Sequence, residues 1–221
     1  MKLFFEGILK LLLGTLLVGA LIFIPAGTLA FFNGWLLMGI LFAPMLVGGI
    51  VMLAKNPTLL KSRLNAREKL GEQSRVVKLS GLMFIVGFVV AGLDYRFSWL
   101  PIPPAVSYVA VALFLLSYLL YAEVLRENTY LSRTIEVREG QRVIDTGLYG
   151  IVRHPMYSAT LVLFLAMPLV LGSLIAFPVF LAYPFIIAAR IRSEERFLES
   201  ELLGYREYKR KVRYRLIPFV W

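Results

Sequence analysis

The sequence predicts an all-α integral membrane protein, a polytopic bundle of about six transmembrane helices. Of its 221 residues, 59% are hydrophobic and only 17% are charged, whereas an average soluble domain is roughly a quarter charged. The hydrophobic residues fall into long runs, and the basic residues, which give a net charge of +10, concentrate between these runs. The charge therefore indicates orientation in a bilayer by the positive-inside rule rather than nucleic-acid binding.

The first two apolar runs predict a helical hairpin. They cover 8–32 and 35–54, and Asn33-Gly34 punctuates the sequence between them. A signal peptide has a shorter apolar region and is not followed so closely by another run, so we expect the first helix to be retained.

A basic segment then separates the first hairpin from the second. Residues 55–78 carry seven Lys and Arg residues, which predicts a cytoplasmic loop. The third run covers 79–97, and a proline-rich, weakly charged connection leads to a fourth run that ends near Leu125. We treat 1–126 as an N-terminal part with four spans, joined to the remainder, 127–221, in one structural unit.

The polar segment 126–153 is rich in arginine and is again expected on the cytoplasmic side. Within it, 134–137 and 141–144 alternate in polarity around Arg138-Glu139-Gly140, which predicts a small β-hairpin on the membrane surface.

The last apolar region, 155–190, is too long for one crossing, and Gly172-Ser173 offers a turn near its middle. We expect a helical hairpin kinked by Pro168, Pro178 and Pro184, which gives six spans, with five as the alternative. The tail, 190–221, alternates basic and hydrophobic residues as interfacial helices do. Both termini are then expected in the cytoplasm, in a multi-pass protein of the cytoplasmic membrane.

Two clusters of ionisable residues flank this last hairpin. Arg153-His154-Pro155-Met156-Tyr157 stands at its start and contains the only histidine, while Glu194-Glu195 stands near its end. Ionisable groups gathered at one membrane face form a site hypothesis. Pro155 suits the first turn of a helix, where Arg153, His154 and nearby N–H groups would face an anion. The alternatives are that Arg153 and His154 anchor the helix to headgroups, and that the acids are solvated and paired along the helix.

Other motifs are few. Cysteine is absent and histidine occurs once, so no metal site is expected. No phosphate-binding glycine loop, HExxH motif or GxSxG motif occurs. Asp94 and Glu123, near helix ends, are either proton relays or simply solvated. Tyr205 and Tyr208 either cover a ligand or hold a helix at the interface.

The order of Gly147, Tyr149, Arg153-His154-Pro155-Met156-Tyr157, Glu194-Glu195, Leu198, Gly204, Tyr205, Tyr208 and Ile217-Pro218 resembles the isoprenylcysteine carboxyl methyltransferase family and the related phospholipid N-methyltransferases. The resemblance covers roughly the last 90 residues. It implies a membrane enzyme that binds S-adenosylmethionine from the cytoplasm and methylates a carboxylate or amine. Its substrate is lipid-like or prenylated and enters laterally from the bilayer. The acceptor and the oligomeric state stay open.

The resemblance also implies residue roles. His154 and Tyr157 would contact the cofactor, with backbone contacts from Gly147, Tyr149, Ile151 and Val152. Arg153 and the pair Glu194 and Glu195 would be catalytic, and one or both acids would also bind the cofactor. Ser158-Ala159 departs from the family, in which a glycine often follows the tyrosine, and this difference bears on how closely the helices approach there.

Two other functions compete. Tyr214-Arg215-Leu216-Ile217-Pro218-Phe219 also resembles the ends of membrane sterol reductases, which bind NADPH. Those proteins are usually longer and commonly carry an asparagine where this chain has Met156. A non-enzymatic transporter or scaffold would place polar residues near the bilayer midplane, whereas here they gather at one face.

Overall fold

The structure, a computed structural model, describes residues 2–65, 71–132 and 134–221. Arg67 and Lys69 of the predicted basic loop, and Arg133 of the later polar segment, lie outside the described residues. The described residues form helices and irregular connections, with no β-strand among them. The helices are α1 (Lys2–Ala26), α2 (Phe32–Lys55), α3 (Pro57–Leu64), α4 (Gly71–Phe97), α5 (Pro104–Glu127), α6 (Pro155–Val170), α7 (Phe177–Phe180), α8 (Ala182–Glu201) and α9 (Tyr205–Lys211), with a 3-10 turn at Gly147–Gly150.

Four of these helices, α1, α2, α4 and α5, are long and apolar enough to cross a membrane. They expose large apolar side chains: Leu16 of α1 is 70% exposed and Leu119 of α5 is 68% exposed. Such surfaces suit contact with lipid chains, and a helix satisfies its backbone polar groups internally. The predicted fold class, an all-α polytopic membrane protein, is confirmed.

The last apolar region divides at the predicted turn but contains less membrane-spanning helix than expected. Gly172, with φ +79°, takes up the left-handed conformation just after α6. Helix α6 has 16 residues, about 24 Å at about 1.5 Å per residue, against a hydrocarbon core of about 30 Å. Helix α8 becomes charged from Arg190 onward. Within the described residues, four helices rather than the predicted six therefore have the length and composition of a full crossing.

The prolines of this region act differently from one another. Pro178 and Pro184 lie in the first turns of α7 and α8, where proline starts a helix instead of kinking it. Pro168 lies inside α6, near its end.

A buried carboxylate joins two connections at one end of the bundle. The backbone of Pro101, between α4 and α5, forms a bridge with that of Ser173, between α6 and α7. Asp94 accepts hydrogen bonds from the Ser173 hydroxyl at 2.6 Å and from the Leu100 N–H at 3.0 Å. Asp94 is only 3% exposed, so it is not solvated, and its hydrogen bonds hold these connections together.

The opposite end of the bundle carries the polar connections. There α3 packs against the segment that follows α5, because the Ser62 hydroxyl and the Arg63 guanidinium donate to the carbonyls of Leu131 and Ser132 at 3.4 and 3.2 Å. Glu123, near the end of α5, pairs with Arg126 on the surface.

The predicted β-hairpin is wrong: the segment is a turn with two irregular arms. The turn itself forms, since the Gln141 N–H donates to the Arg138 carbonyl and the Arg138 N–H donates to the Gln141 side chain, both at 3.0 Å. No strand pairing joins the described residues of 134–137 and 141–144. Val137 and Val143, one from each arm, pack against the buried residues around α9. Packing against α9 holds the two arms in place, instead of the cross-strand hydrogen bonds that were expected.

Candidate active site

The start of α6 is built against the C-terminal segment of the chain. Pro155 is the first residue of α6, as predicted. The N–H groups of Arg153 and His154 donate to the carbonyls of Tyr214 and Arg215, each at 2.9 Å. The hypothesis that backbone N–H groups here face an anion therefore does not apply to these two amides, whose hydrogen bonds are already made within the protein.

The Arg153 side chain completes this attachment from a buried position. Its Nη1 donates to the carbonyls of Val212 and Arg213, both at 2.7 Å. Its Nε donates to Oε1 of Glu195, also at 2.7 Å. The side chains of both ion-pair partners are less than 5% exposed. A single guanidinium thus ties α6, α8 and the C-terminal segment together.

Glu195 is the centre of this buried cluster. Besides Arg153, it accepts from His154 Nε2 at 3.2 Å and from Arg215 Nε at 3.0 Å. Burial on its own raises the pKa of Glu195, but the hydrogen bonds and charges of His154 and Arg153 outweigh it and hold the pKa well below its usual range. Both carboxylate oxygens of Glu195 therefore accept hydrogen bonds from side chains of the protein itself.

Glu194, the neighbouring acid, faces elsewhere. The Tyr157 hydroxyl donates to its Oε2 at 2.6 Å. Arg190, one helical turn earlier on α8, donates from Nε to the same tyrosine oxygen at 2.8 Å. Adjacent residues on a helix point about 100° apart, which is why the two acids have different partners. The Tyr157, Glu194 and Arg190 side chains form a chain of hydrogen bonds along one wall of a cavity.

The cavity opens at the polar end of the bundle and has a volume of about 100 Å³. Glu194 lines it and Glu195 does not. The His154 ring stacks against the Tyr157 ring with a centroid separation of 5.7 Å, so both rings share this wall. The lining residues are parts of the segment 128–144 together with Tyr149, Arg153, His154, Met156, Tyr157, Arg190, Glu194, Leu198, Leu202, Tyr205 and Tyr208.

The 3-10 turn at Gly147–Gly150 is held by the end of α5. Both carboxylate oxygens of Glu127 accept from the Leu148 N–H, at 3.0 and 3.2 Å. Asn128 donates to the Tyr149 hydroxyl at 3.0 Å, and the Tyr208 hydroxyl donates to the Tyr149 carbonyl at 2.8 Å. Gly147 has φ +50°, a conformation that glycine adopts without strain. The turn is therefore positioned from two sides.

The structure brings most of the predicted site residues together. Tyr149, Arg153, His154, Tyr157 and Glu194 line one cavity. The remaining predicted residues do not line the cavity. Gly147 lies beside the Glu127 carboxylate, and Glu195 is paired with Arg153 and Arg215. Ile151 is 53% exposed and Val152 is buried.

Several residues that shape the site were not predicted. Glu127 and Arg215 position it, and Arg190 lines it. Arg190 stands four residues before Glu194, but that spacing indicated only an ordinary helix pair. Within the described residues, no group of three or more His, Asp and Glu side chains is arranged to hold a metal ion.

Fold and cavity together define an integral membrane protein with an ionisable site at one end of its helices, and part of the chain matches a known family. Residues 105–202 match the family model for phospholipid methyltransferases. This range covers α5 from its second residue onward, together with α6 and α8, and includes Arg153, His154, Tyr157 and Glu194. The expected family resemblance is confirmed over this part of the chain, and the match supports a membrane methyltransferase.

The second comparison points toward the competing class. The chain is 32% identical over 91 residues to the Mus musculus protein named Delta(14)-sterol reductase TM7SF2. The similarity covers 40% of this chain and 22% of that protein. The chain therefore spans about a fifth of the length of this relative.

Proposed function

We propose that this chain is an S-adenosylmethionine-dependent methyltransferase acting on a lipid-like or prenylated substrate at the cytoplasmic face of the membrane. The observation that carries the proposal is the Tyr157–Glu194 pair, which lines a cavity at the end of the helices inside the region that matches the phospholipid methyltransferase family.

The residues of the cavity fit the methyl donor chemically. S-adenosylmethionine combines a sulfonium cation and an ammonium group with a carboxylate and a polar nucleoside. The cavity offers the Glu194 carboxylate for the cationic groups and the Arg190 guanidinium for an anionic group. Tyr149, Tyr205 and Tyr208 supply aromatic surface beside them. These side chains would hold the cofactor, with His154 stacked behind Tyr157.

The size of the cavity implies adjustment on binding. Its volume of about 100 Å³ is below the roughly 300–1,000 Å³ that is typical of small-molecule sites. A nucleoside ligand therefore requires part of the wall to shift as it enters.

For methyl transfer, the main task of the protein is to align the methyl donor with the acceptor. Bound S-adenosylmethionine supplies an electrophilic methyl group, and its transfer is an in-line displacement, so the surrounding side chains orient the acceptor and exclude water. A carboxylate acceptor needs no general base. An amine must lose a proton before or during attack, and Glu194, held in place by Tyr157, accepts that proton.

The distribution of charge supports the cytoplasmic placement of the cavity. Lys55 ends α2, and Arg126 lies in the last turn of α5. The last turn of α9 carries Lys209, Arg210 and Lys211. Basic residues that flank membrane helices are retained on the cytoplasmic side, which is also where the soluble cofactor is available.

Calorimetric titration of the purified protein in detergent tests the cofactor assignment. We expect S-adenosylhomocysteine, the demethylated product, to bind with a defined stoichiometry and NADPH to give no binding heat. Binding of NADPH together with no binding of S-adenosylhomocysteine would refute the proposal. Incubation of native membrane lipids with radiolabelled cofactor would then identify the methylated product.

A membrane reductase is the second candidate, and the similarity to the mouse sterol reductase favours it. The methyltransferase is preferred because the family match covers most of the residues that line the cavity, including Tyr157 and Glu194. The same titration separates the two, since each class requires a different nucleotide.

A further inference from the structure

Tyr205 is a buried residue of the cavity wall. It begins α9 directly after Gly204, whose φ of +84° turns the chain at the end of α8. The Tyr205 ring packs with Leu202, Tyr208 and Val212 in a buried cluster and is 4% exposed. The residue lines the same cavity as Glu194.

The hydroxyl of Tyr205 is buried and lacks a hydrogen-bond partner within the described part of the protein. Buried polar groups are almost always hydrogen-bonded, and an exception calls for an explanation. The other buried tyrosines of the wall follow the rule. Tyr149 is bonded to Asn128, Tyr157 to Glu194, and Tyr208 to the Tyr149 carbonyl. Among these wall tyrosines, the unpaired group is therefore specific to Tyr205.

Electrostatics define what the hydroxyl can do. Burial, followed by the charges of Glu195 and Glu194, raises the pKa of Tyr205 well above its ordinary value. The phenol thus stays protonated at every physiological pH and acts as a hydrogen-bond donor.

We propose that the Tyr205 hydroxyl donates a hydrogen bond to the ligand of this cavity, at an acceptor oxygen or nitrogen of the nucleoside methyl donor. The inference rests on the proposed function and extends it, since it assigns a ligand contact to α9, beyond residues 105–202 that match the family. The bond that the protein leaves unmade is then completed by the ligand.

Paired tyrosine variants test the contact. Tyr205→Phe removes one oxygen that has no partner among the described residues of the free protein, so its melting temperature should equal or exceed that of the wild type. Tyr208→Phe removes a hydrogen bond that the free protein makes, so its melting temperature should fall. The affinity of Tyr205→Phe for S-adenosylhomocysteine should fall by roughly 5- to 20-fold, the loss expected for one buried ligand hydrogen bond.

A second ligand locates the contact on the cofactor. Titration with 5′-methylthioadenosine, which lacks the amino acid part, should show the same loss in Tyr205→Phe if the hydroxyl binds the nucleoside. A loss confined to S-adenosylhomocysteine places the bond on the amino acid carboxylate instead. Either result supports the contact.

Failure of the inference and failure of the proposed function give different results. If the wild type binds both ligands and Tyr205→Phe binds them equally tightly, the contact alone is overturned. A fall in the melting temperature of Tyr205→Phe matching that of Tyr208→Phe also overturns it, because the hydroxyl would then have a partner in the free protein. Absence of binding by the wild type overturns the methyltransferase and this inference together.

Discussion

The hydroxyl of Tyr157 donates a 2.6 Å hydrogen bond to the carboxylate of Glu194 and so joins the start of α6 to the middle of α8 across the cavity wall. The adjacent Glu195 is bound instead by Arg153, His154 and Arg215. Two neighbouring acids therefore have separable roles, and substitutions can distinguish them.

Glu194→Gln should impair function with little effect on stability. The amide keeps an oxygen that can accept from Tyr157 but removes the negative charge from the cavity. We expect methyl transfer to fall by at least about 10-fold, and by about 100-fold or more if the acceptor is an amine that needs a base. Initial rates with radiolabelled cofactor measure the effect. Glu199→Gln is the matched control, since Glu199 lies on the same helix and contacts Lys209 outside the cavity lining; equal rates in both variants would contradict the assignment.

Glu195→Gln should instead destabilise the fold. Removing the charge leaves Arg153 buried without its anionic partner, and breaking a buried ion pair in this way costs about 3–5 kcal/mol. Thermal unfolding in detergent would show a melting temperature well below that of Glu194→Gln. Equal melting temperatures for the two variants would mean that the buried cluster contributes no net stability.

The buried cluster also predicts a pH dependence of stability. His154 and Arg153 lower the pKa of Glu195 in the folded protein from its ordinary value of 4.5. Its contribution is therefore fully present above that value and is lost as pH falls toward the folded pKa. The free energy of unfolding should decrease on acidification below about pH 4.5, and Glu195→Gln should show a weaker decrease. Parallel slopes in the two proteins would exclude Glu195 as the source.

Gly147→Ala should disturb the 3-10 turn that carries Tyr149. A Cβ at Gly147 would overlap Oε1 of Glu127, so the carboxylate must leave its bond with Leu148. We expect lower stability and weaker binding of S-adenosylhomocysteine. Gly140→Ala is the control, because Gly140 also has a positive φ, +70°, but a Cβ there would meet no described atom within 4 Å. Gly140→Ala should lower the free energy of unfolding only by the backbone strain, about 1 kcal/mol. A similar loss of stability in both variants would show that the clash with Glu127 is not the cause.

The helical architecture could be predicted from the sequence because it depends on local composition. The apolar runs indicated α1, α2, α4 and α5, and Gly172-Ser173 indicated the turn after α6. Pro155 marked the first residue of α6. The number of crossings was overestimated, because composition alone does not show that a continuous apolar region is interrupted by the short α7.

Only part of the site could be predicted from the sequence, and the reason is different. Sequence placed Arg153, His154, Tyr157 and Glu194 together, because each stands next to an end of the last apolar region. It did not distinguish Glu194 from Glu195, since that choice depends on the rotation of α8 about its axis. The attachment of Arg153 to the carbonyls of Val212 and Arg213 and the unpaired Tyr205 hydroxyl arise from tertiary packing and leave no local signal.

The predicted hairpin of 134–144 shows the limit of periodicity. Alternating polarity indicates one buried face, and the arms do pack Val137 and Val143 inward. The partner that buries them is α9 rather than the opposite arm, which alternation within the segment does not reveal.

The bond between Arg153 and the carbonyl of Val212 spans 59 positions of the chain, and this separation sets an order of events during translation. The N-terminal helices can enter the bilayer while the ribosome is still extending the polypeptide. The carbonyls that hold Arg153 are not yet synthesised at that stage. The hydrogen bonds that fix Arg153 can therefore form only after the segment that includes Val212 and Arg213 has been synthesised.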